Sequence, residues 1–525
     1  MNRISICTVF LTGLLMVHNA DTFYSGAFGA EPSVYAAEGI DKWSLWSNGV
    51  SLRGANIFQR RVYPELDGTV YLGDGPTGPP YTPSDLHRLA EWGANAVNIS
   101  HPGLFTETPP YWPDPEIEAG LDSLVAWAGH AGLYVIISFR TGPGRSEFTF
   151  FWPTADPDYL NDRVWGDEDA QDGWVEMWKY TAGKYASNPS VVAYNLMVGP
   201  NSNEVGSDAL NGRLDMWDPA AFYAEHRGTL YDWNRLGARL VDAIRSVDTE
   251  TPIIMESMGY GSVKWLMWLD VPADSRVVAG VHQYDPYAYA YQGPSDSLCY
   301  PGFLDTNGNG ELEYFNRAWI VDFLAPLDTL ARRGTPVAVT EVGIARWASG
   351  GADCLRDQFE RFELIGADHF MWIWESTWEP AVAKGDNFNF RLGPDPENRI
   401  EVSSSPMIEV IQSSWSCNAL FNTGVDETAQ KTPLTFLTAA NYPNPFNSMT
   451  DIVCTLASEA FVTVTVYNLL GQAVTSWTPG WKKGGSHQWH WDAGVRASGL
   501  YFYRIEARTS DGAMHQAVGK MVYQR

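Results

Sequence analysis

The chain has 525 residues, with 35 Lys and Arg against 62 Asp and Glu, a formal net charge of −27. So acidic a surface repels nucleic-acid phosphates and anionic lipid, which excludes a nucleic-acid partner and a polybasic membrane role. Charged residues are 18% and apolar residues 45%, so the chain is globular rather than a disordered acidic polymer.

Aromatic residues make up 14%, with 23 Trp, 25 Tyr and 23 Phe. Two readings are open: a large core, or a groove lined with rings of the kind sugar binders use. The N-terminus, MNRISICTVFLTGLLMV, has one Arg before an apolar run from Ile4 to Val17, the length of a signal-peptide core and short for a bilayer span. Residues 1–29 are therefore expected to leave as a signal peptide, with cleavage near Ala27 or Gly29, and the mature chain is expected to be exported without a membrane span. Cys299, Cys354, Cys417 and Cys454 remain, too few for a disulfide framework. Cys299 and Cys354 lie in loop-like stretches and are candidates either for a bridge or for plain buried thiols.

Eight strand-like runs follow in order: 50–57, 95–100, 133–140, 191–198, 252–257, 277–284, 336–342 and 369–374. Most are nearly continuous apolar runs, as strands covered on both faces are. Amphipathic helix patterns lie between them. The first begins at Thr82 with Pro83 at its first helical position, and others occupy 115–132, 231–248 and 316–334. Eight such alternations predict an α/β fold, a (β/α)8 TIM barrel over residues 36–414. No glycine-rich phosphate loop follows the first strand, against a dinucleotide site. A polar, aperiodic stretch at 415–434 reads as a linker. Beyond it, 435–525 holds only short strand-like runs with Gly and Pro turns, predicting a small all-β immunoglobulin-like sandwich.

In a barrel, function gathers at the C-terminal strand ends. Those ends carry Asn56, Asn98, Arg140, Asn201, Glu256, His282, Tyr284, Glu341 and Trp374. The set is carboxylate, amide and aromatic chemistry, without metal-ligand spacing. The stretches LRGAN, GANAVNIS, VVAYNLMVGPN, VHQYDP, VAVTEVG and FMWIW resemble the strand ends of glycoside hydrolase family 5, the secreted cellulases, mannanases and related β-glycosidases. The resemblance spans residues 40–400. It implies a retaining hydrolase of a β-linked polysaccharide, with Glu341 as nucleophile, His282 and Tyr284 orienting the charged groups and Trp374 stacking a sugar. Asn56, Arg140, Asn201 and Glu256 are candidates for substrate contacts. No organic cofactor is required. A Glu after the apolar run PVAVT also belongs at the mouth on physical grounds, since it cannot stay unpaired in a core; a salt-bridged structural Glu is the alternative.

The pattern departs from the family at the fourth strand. The acid/base Glu of an Asn-Glu-Pro motif is replaced, the aligned residues being Val198, Gly199 and Pro200. The family's Arg and His on strands two and three are likewise replaced, by Asn98 and Arg140, and Arg145 is a second guanidinium near the mouth. Either Glu204, five residues past Gly199, or Glu256 supplies the proton, or the barrel is catalytically impaired and serves as a cell-surface carbohydrate-binding protein. On this alignment Gly199→Glu is expected to raise hydrolysis.

The segment DTNGNGELE places Asp305, Asn307 and Asn309 in alternation before Gly310, as in the first half of a calcium loop, but Asn316 stands at the twelfth position where that loop needs a bidentate Glu. A weak structural calcium site and a Gly/Asn-rich turn are both open. The order NYPNPFN, VTVTVYNLLGQAV, HQWHWDAG, ASGLYFYRIEA and GKMVYQR resembles the C-terminal sorting domain of the type IX secretion system. It implies a partner in the outer-membrane secretion machinery and a secreted or surface-held product. The two Trp of HQWHWD are open to core packing or sugar stacking.

Overall fold

The computed structural model describes residues 41–525 except 64–66, 68–71, 74, 151–156, 207–212, 273, 275, 419–436, 443, 445, 457–458, 470–471, 484, 510–513 and 525. The expected signal peptide and most of the expected linker lie outside the described residues. The chain divides into two compact units, meeting at Gly424 and Val425.

The first unit is a closed parallel barrel. Its strands are β1 (Arg53–Phe58), β2 (Ala96–Pro102), β3 (Tyr134–Thr141), β4 (Val191–Asn195), β5 (Ile253–Glu256), β6 (Val277–Gln283), β7 (Val337–Val342) and β8 (Asp368–Met371). They close in chain order, β8 pairing with β1. All eight expected strands are present. Helices α1 (Pro83–Glu91), α2 (Pro115–His130), α3 (Glu168–Tyr185), α4 (Trp233–Arg245), α5 (Arg317–Phe323), α6 (Ala325–Arg332), α7 (Gly351–Ile365) and α8 (Pro406–Trp415) belong to the same unit. The single helix expected over 316–334 is two, because Pro326 opens α6 and cannot continue α5. The starts of α1, α2 and α4 are read as the sequence suggests. Asp85 accepts the Thr82 amide at 2.8 Å, Asp114 accepts those of Glu116 and Ile117, and Asp232 accepts that of Asn234.

Alternation sorts the strand residues. On β3, Val135, Ile137 and Phe139 face the helices, while Ile136 joins an apolar plug at the N-terminal end of the barrel with Leu52, Ala96, Ile254, Val278, Ala338 and Phe370. Above the plug lies a polar belt. Ser138 donates to Asn98, Asn98 to Asn56 at 2.8 Å, and Asn56 to the Thr340 carbonyl at 2.9 Å. The Thr340 hydroxyl and the Asn195 amide then donate to Glu256 at 2.7 and 2.6 Å. Buried polar side chains are tolerated here because each residue of the belt makes at least one hydrogen bond, the Asn195 Oδ1 alone among these atoms having none.

The end of the barrel unit differs from the expected boundary. Residues read as the start of the linker close the barrel: Trp415 is buried, and Asn418 donates to the carbonyls of Arg53 and Gly93. No helix among the described residues is long and apolar enough to cross a membrane. The four described cysteines are free thiols, with Cys299 exposed and Cys354 buried, so no bridge joins them.

The second unit holds two antiparallel sheets. One contains β9 (Leu437–Tyr442), β10 (Met449–Leu456) and β13 (Gly485–Asp492); the other contains β11 (Ala460–Asn468), β12 (Ala473–Lys482), β14 (Gly499–Thr509) and β15 (Met514–Tyr523). Its core is the inward row of β11, Ala460, Val462, Val464 and Val466, with Tyr501, Tyr503, Ile505 and Trp491. Trp491 is buried and Trp489 packs against the same core, so both Trp of HQWHWD serve packing.

Candidate active site

The strand ends open into a cleft of about 1050 Å³. Glu341 lies in its lining, yet strict alternation along β7 would turn this residue outward. A β-bulge corrects the direction: the β6–β7 register passes from Val281 opposite Val339 to His282 opposite Glu341, so Thr340 is the extra residue. Such a bulge re-aims the side chain that follows it. Glu341 thereby shares the barrel interior with Thr340 and reaches the cleft.

Three groups hold the Glu341 carboxylate. Tyr284 donates its hydroxyl to Oε2 at 2.8 Å, His282 Nδ1 lies 3.5 Å from the same oxygen, and an Arg140 nitrogen lies 4.0 Å from Oε1. Burial pushes the carboxyl up; His282 and Arg140 pull it back without cancelling the rise. His282 faces Glu256 on its other side, Nε2 to Oε2 at 3.0 Å. Burial lowers the imidazole, but the two carboxylates outweigh it and raise the histidine above its ordinary value. The imidazole thus stands between two carboxyl groups that favour its protonated form.

Glu256 itself lies beneath the cleft, fully buried. Besides Thr340 and Asn195 it accepts the Gly199 amide at 2.7 Å. Burial raises its carboxyl, but the charge and hydrogen bond of His282, with the Gly199 amide and Thr340 hydroxyl, bring it below the ordinary value. A buried, ionised carboxylate has neither the proton nor the access that an acid or a substrate contact needs, so Glu256 leaves the candidate list for both roles.

Other expected contacts are also displaced. Asn56 is buried in the polar belt and acts on β7 and β8 through the Thr340 and Met371 carbonyls; the cleft residue of β1 is Phe58. Asn201 is buried behind the wall, accepting from Arg145 at 3.2 Å and donating to the Tyr260 hydroxyl at 3.2 Å. Trp374 does not reach the cleft: it is buried against Trp92, and its indole N–H donates to the Asp85 carbonyl at 2.9 Å. The cause is a strand end three residues earlier than expected. β8 stops at Met371, so Trp372 faces the mouth, while Trp374 follows the turning chain toward α1.

Arg140 does line the cleft. It pairs with Glu147 at 2.8 Å and lies over the rings of Phe150, Phe58 and Trp372, at 4.0, 4.7 and 5.6 Å. Arg145 is buried and donates to the carbonyls of Arg140, Val198 and Gly199, tying the end of β4 to the loop after β3.

Gly199 has φ of +55°. A Cβ there would stand 3.3 Å from Phe150 and from the Tyr260 backbone. The position is left-handed and already crowded, which sets a steric cost against the gain expected of Gly199→Glu. A different carboxyl enters from the following loop. The short hairpin Glu204–Val205 with Leu214–Asp215 brings Glu204 into the cleft lining, where the Tyr260 hydroxyl donates to it at 2.7 Å. Burial raises the Glu204 carboxyl, and the Tyr260 hydrogen bond only partly offsets this.

The Asp305 turn is closed on itself. The Asp305 carboxylate accepts the amides of Asn307, Gly308, Asn309 and Gly310, and Asn309 accepts that of Glu311. Asn307 reaches the cleft rim. Among the described residues no group of three or more His, Cys, Asp or Glu converges as a metal site.

Glu147, Phe150, Trp217, Tyr260, Tyr291 and Trp372 line the cleft and were not singled out from the sequence. The available signal was the density of rings in the loops that follow the strands, as in SEFTFF and LDMWDP.

The cellulase family, glycosyl hydrolase family 5, matches residues 55–379, and a secretion system C-terminal sorting domain matches residues 440–518. Endoglucanase 3 of Fibrobacter succinogenes is 23% identical over 191 residues, 36% of this chain and 24% of that protein. Cellodextrinase A of Ruminococcus flavefaciens is 21% identical over 213 residues, 40% of this chain and 53% of that protein. The match thus spans about a quarter and about half of these two relatives. A crystal structure of a glycoside hydrolase superposes with a TM-score of 0.52 at 19% identity, covering 70% of this chain and 99% of the other, a likeness of fold. With the family pattern covering more than half of the chain on a closed eight-stranded barrel, the protein belongs to glycosyl hydrolase family 5 and carries a C-terminal secretion sorting domain.

Proposed function

We propose that the protein is an exported β-glycanase that cleaves a cellulose- or mannan-like chain with retention of configuration. The observation that carries this reading is Glu341, a carboxylate at the mouth of a ring-lined cleft, aimed by the Tyr284 hydroxyl. Glu341 attacks the anomeric carbon, the glycosidic C–O bond breaks, and the proton of Glu204 passes to the leaving oxygen. Glu204 then takes a proton from water, and that water attacks the same carbon and frees Glu341. The raised Glu204 carboxyl suits the first half of this cycle. Arg140 and His282 favour the ionised form of Glu341 against its burial, and Trp372 takes the sugar-stacking place expected of Trp374. The sorting domain directs the product out of the cell, to the medium or the surface.

The test is release of reducing ends from soluble β-glucan and β-mannan by the full chain, alongside Glu341→Gln. Release that falls by about 10³-fold or more in the variant is expected. Binding of glucan without any release by the parent would replace this reading with that of a carbohydrate-binding protein, the possibility that the missing carboxylate at Gly199 keeps alive.

A further inference from the structure

Resting on the hydrolase reading, we infer that Trp217 and Tyr287 are two sugar-stacking platforms on the cleft rim, and that they make the site select chains of three or more sugars. Exposed rings alone carry no such meaning; Trp112 is 68% exposed and lies outside the cleft lining. These two differ in construction. Trp217 is 52% exposed and Tyr287 61% exposed, and both line the cleft. Each is backed by a second ring in near-parallel stacking: Trp217 on Tyr260, centroids 6.2 Å apart at 22°, and Tyr287 on Tyr291, 4.0 Å apart at 15°. Trp217 is also tied by a hydrogen bond, and the ring behind Tyr287 is itself packed. The Trp217 indole N–H donates to Asp215 at 2.9 Å, and Tyr291 is wedged edge-on against Phe388 at 4.7 Å.

The backing rings lead to the two carboxylates. Tyr260 donates to Glu204, and Tyr291 packs at 5.3 Å on Tyr284, which donates to Glu341. An all-equatorial β-linked pyranose presents a face of axial C–H bonds, an apolar and weakly positive surface that matches the negative face of an aromatic ring. A ring fixed before binding loses little entropy when the sugar arrives. Side chains stand between each platform and its carboxylate, so a sugar on a platform is not the sugar being attacked. Two platforms and the reacting unit make three sugars.

The experiment measures binding of cellohexaose and cellobiose to the full chain carrying Glu341→Gln, by calorimetry, with and without Trp217→Ala and Tyr287→Ala. Each alanine is expected to raise the hexaose Kd by roughly three- to tenfold, with a smaller change for cellobiose. Trp217→Phe and Tyr287→Phe keep a ring and are expected to hold most of the affinity, which separates stacking from loss of fold. Hexaose affinity unchanged within twofold in both alanine variants overturns the inference. Hexaose binding that the alanines weaken, with no reducing ends released by the parent, sinks the hydrolytic reading alone and supports the platforms. A parent that binds no cellohexaose removes the platforms as β-glucan subsites.

Discussion

The ends of β7 and β4 open on the same cleft and bring opposite things to it. β7 carries a carboxylate in its own strand, turned inward by a bulge at Thr340 and fixed by three side chains. β4 ends without one: Gly199 is left-handed, its amide binds the buried Glu256, and Phe150 and Tyr260 crowd the space above it. The carboxyl that lines the cleft on this side comes from a loop, Glu204 on a two-residue hairpin strand. A nucleophile must sit within a bond length of its target at the transition state, which suits a rigid strand end. A proton donor needs only hydrogen-bond reach, which a loop can supply.

The largest test of this contrast is Glu204→Gln. With an unactivated β-glucan, turnover is expected to fall by about 10²–10⁴-fold, and far less with a dinitrophenyl glycoside whose leaving group needs no proton. Azide, which attacks without a general base, is expected to restore rate on the activated substrate. Equal loss on both substrates with no rescue would return Glu204 to the role of a loop charge and leave β4 without a replacement.

Next comes Gly199→Glu, which asks whether the carboxylate could simply be put back. A side chain at φ +55° costs about 1–2 kcal/mol, and the contacts with Phe150 and Tyr260 add to it. A lowered Tm with no gain in turnover is expected. A gain would mean that the loop after β4 relaxes into the family arrangement.

The smallest effect is a shift in pH dependence. His282 lowers the Glu341 carboxyl, and in the proposed mechanism Glu341 attacks in its ionised form. His282→Asn removes that cation, so the acid limb of the kcat/KM profile is expected to move to higher pH. Linkage gives the matching sign for stability. The raised histidine adds its full stabilisation below its ordinary value and loses it as pH climbs through the raised one. The depressed Glu256 adds its share above the ordinary carboxylate range and loses it as pH falls through its lowered value. A Tm profile that keeps its alkaline fall in His282→Asn would place that fall on another group.

Much of the fold was legible because both units repeat a local rule. Doubly covered strands read as apolar runs, and Thr82 with Pro83 marks a helix start whatever lies around it. Pro326 was legible too, but its consequence, a break into two helices, was not drawn from the pattern. Within the site, Glu341, His282, Tyr284, Glu204 and Arg140 were found because they stand at or just past strand ends. Asn56, Asn201 and Glu256 stand there as well, yet they lie one layer too deep, and depth within a barrel leaves no mark on a strand's alternation.

The sequence by itself determined the (β/α)8 barrel, the β-sandwich after it and a carboxylate at position 341, since periodicity and the cost of burying an unpaired charge are local physics. Only the tertiary structure decided that Glu341 points inward, that Trp372 and not Trp374 meets the cleft, and that Glu204 joins the cleft lining. Each of these turns on a bulge, a strand ending a few residues early or a loop folding back, and such choices are made by neighbours distant in the chain.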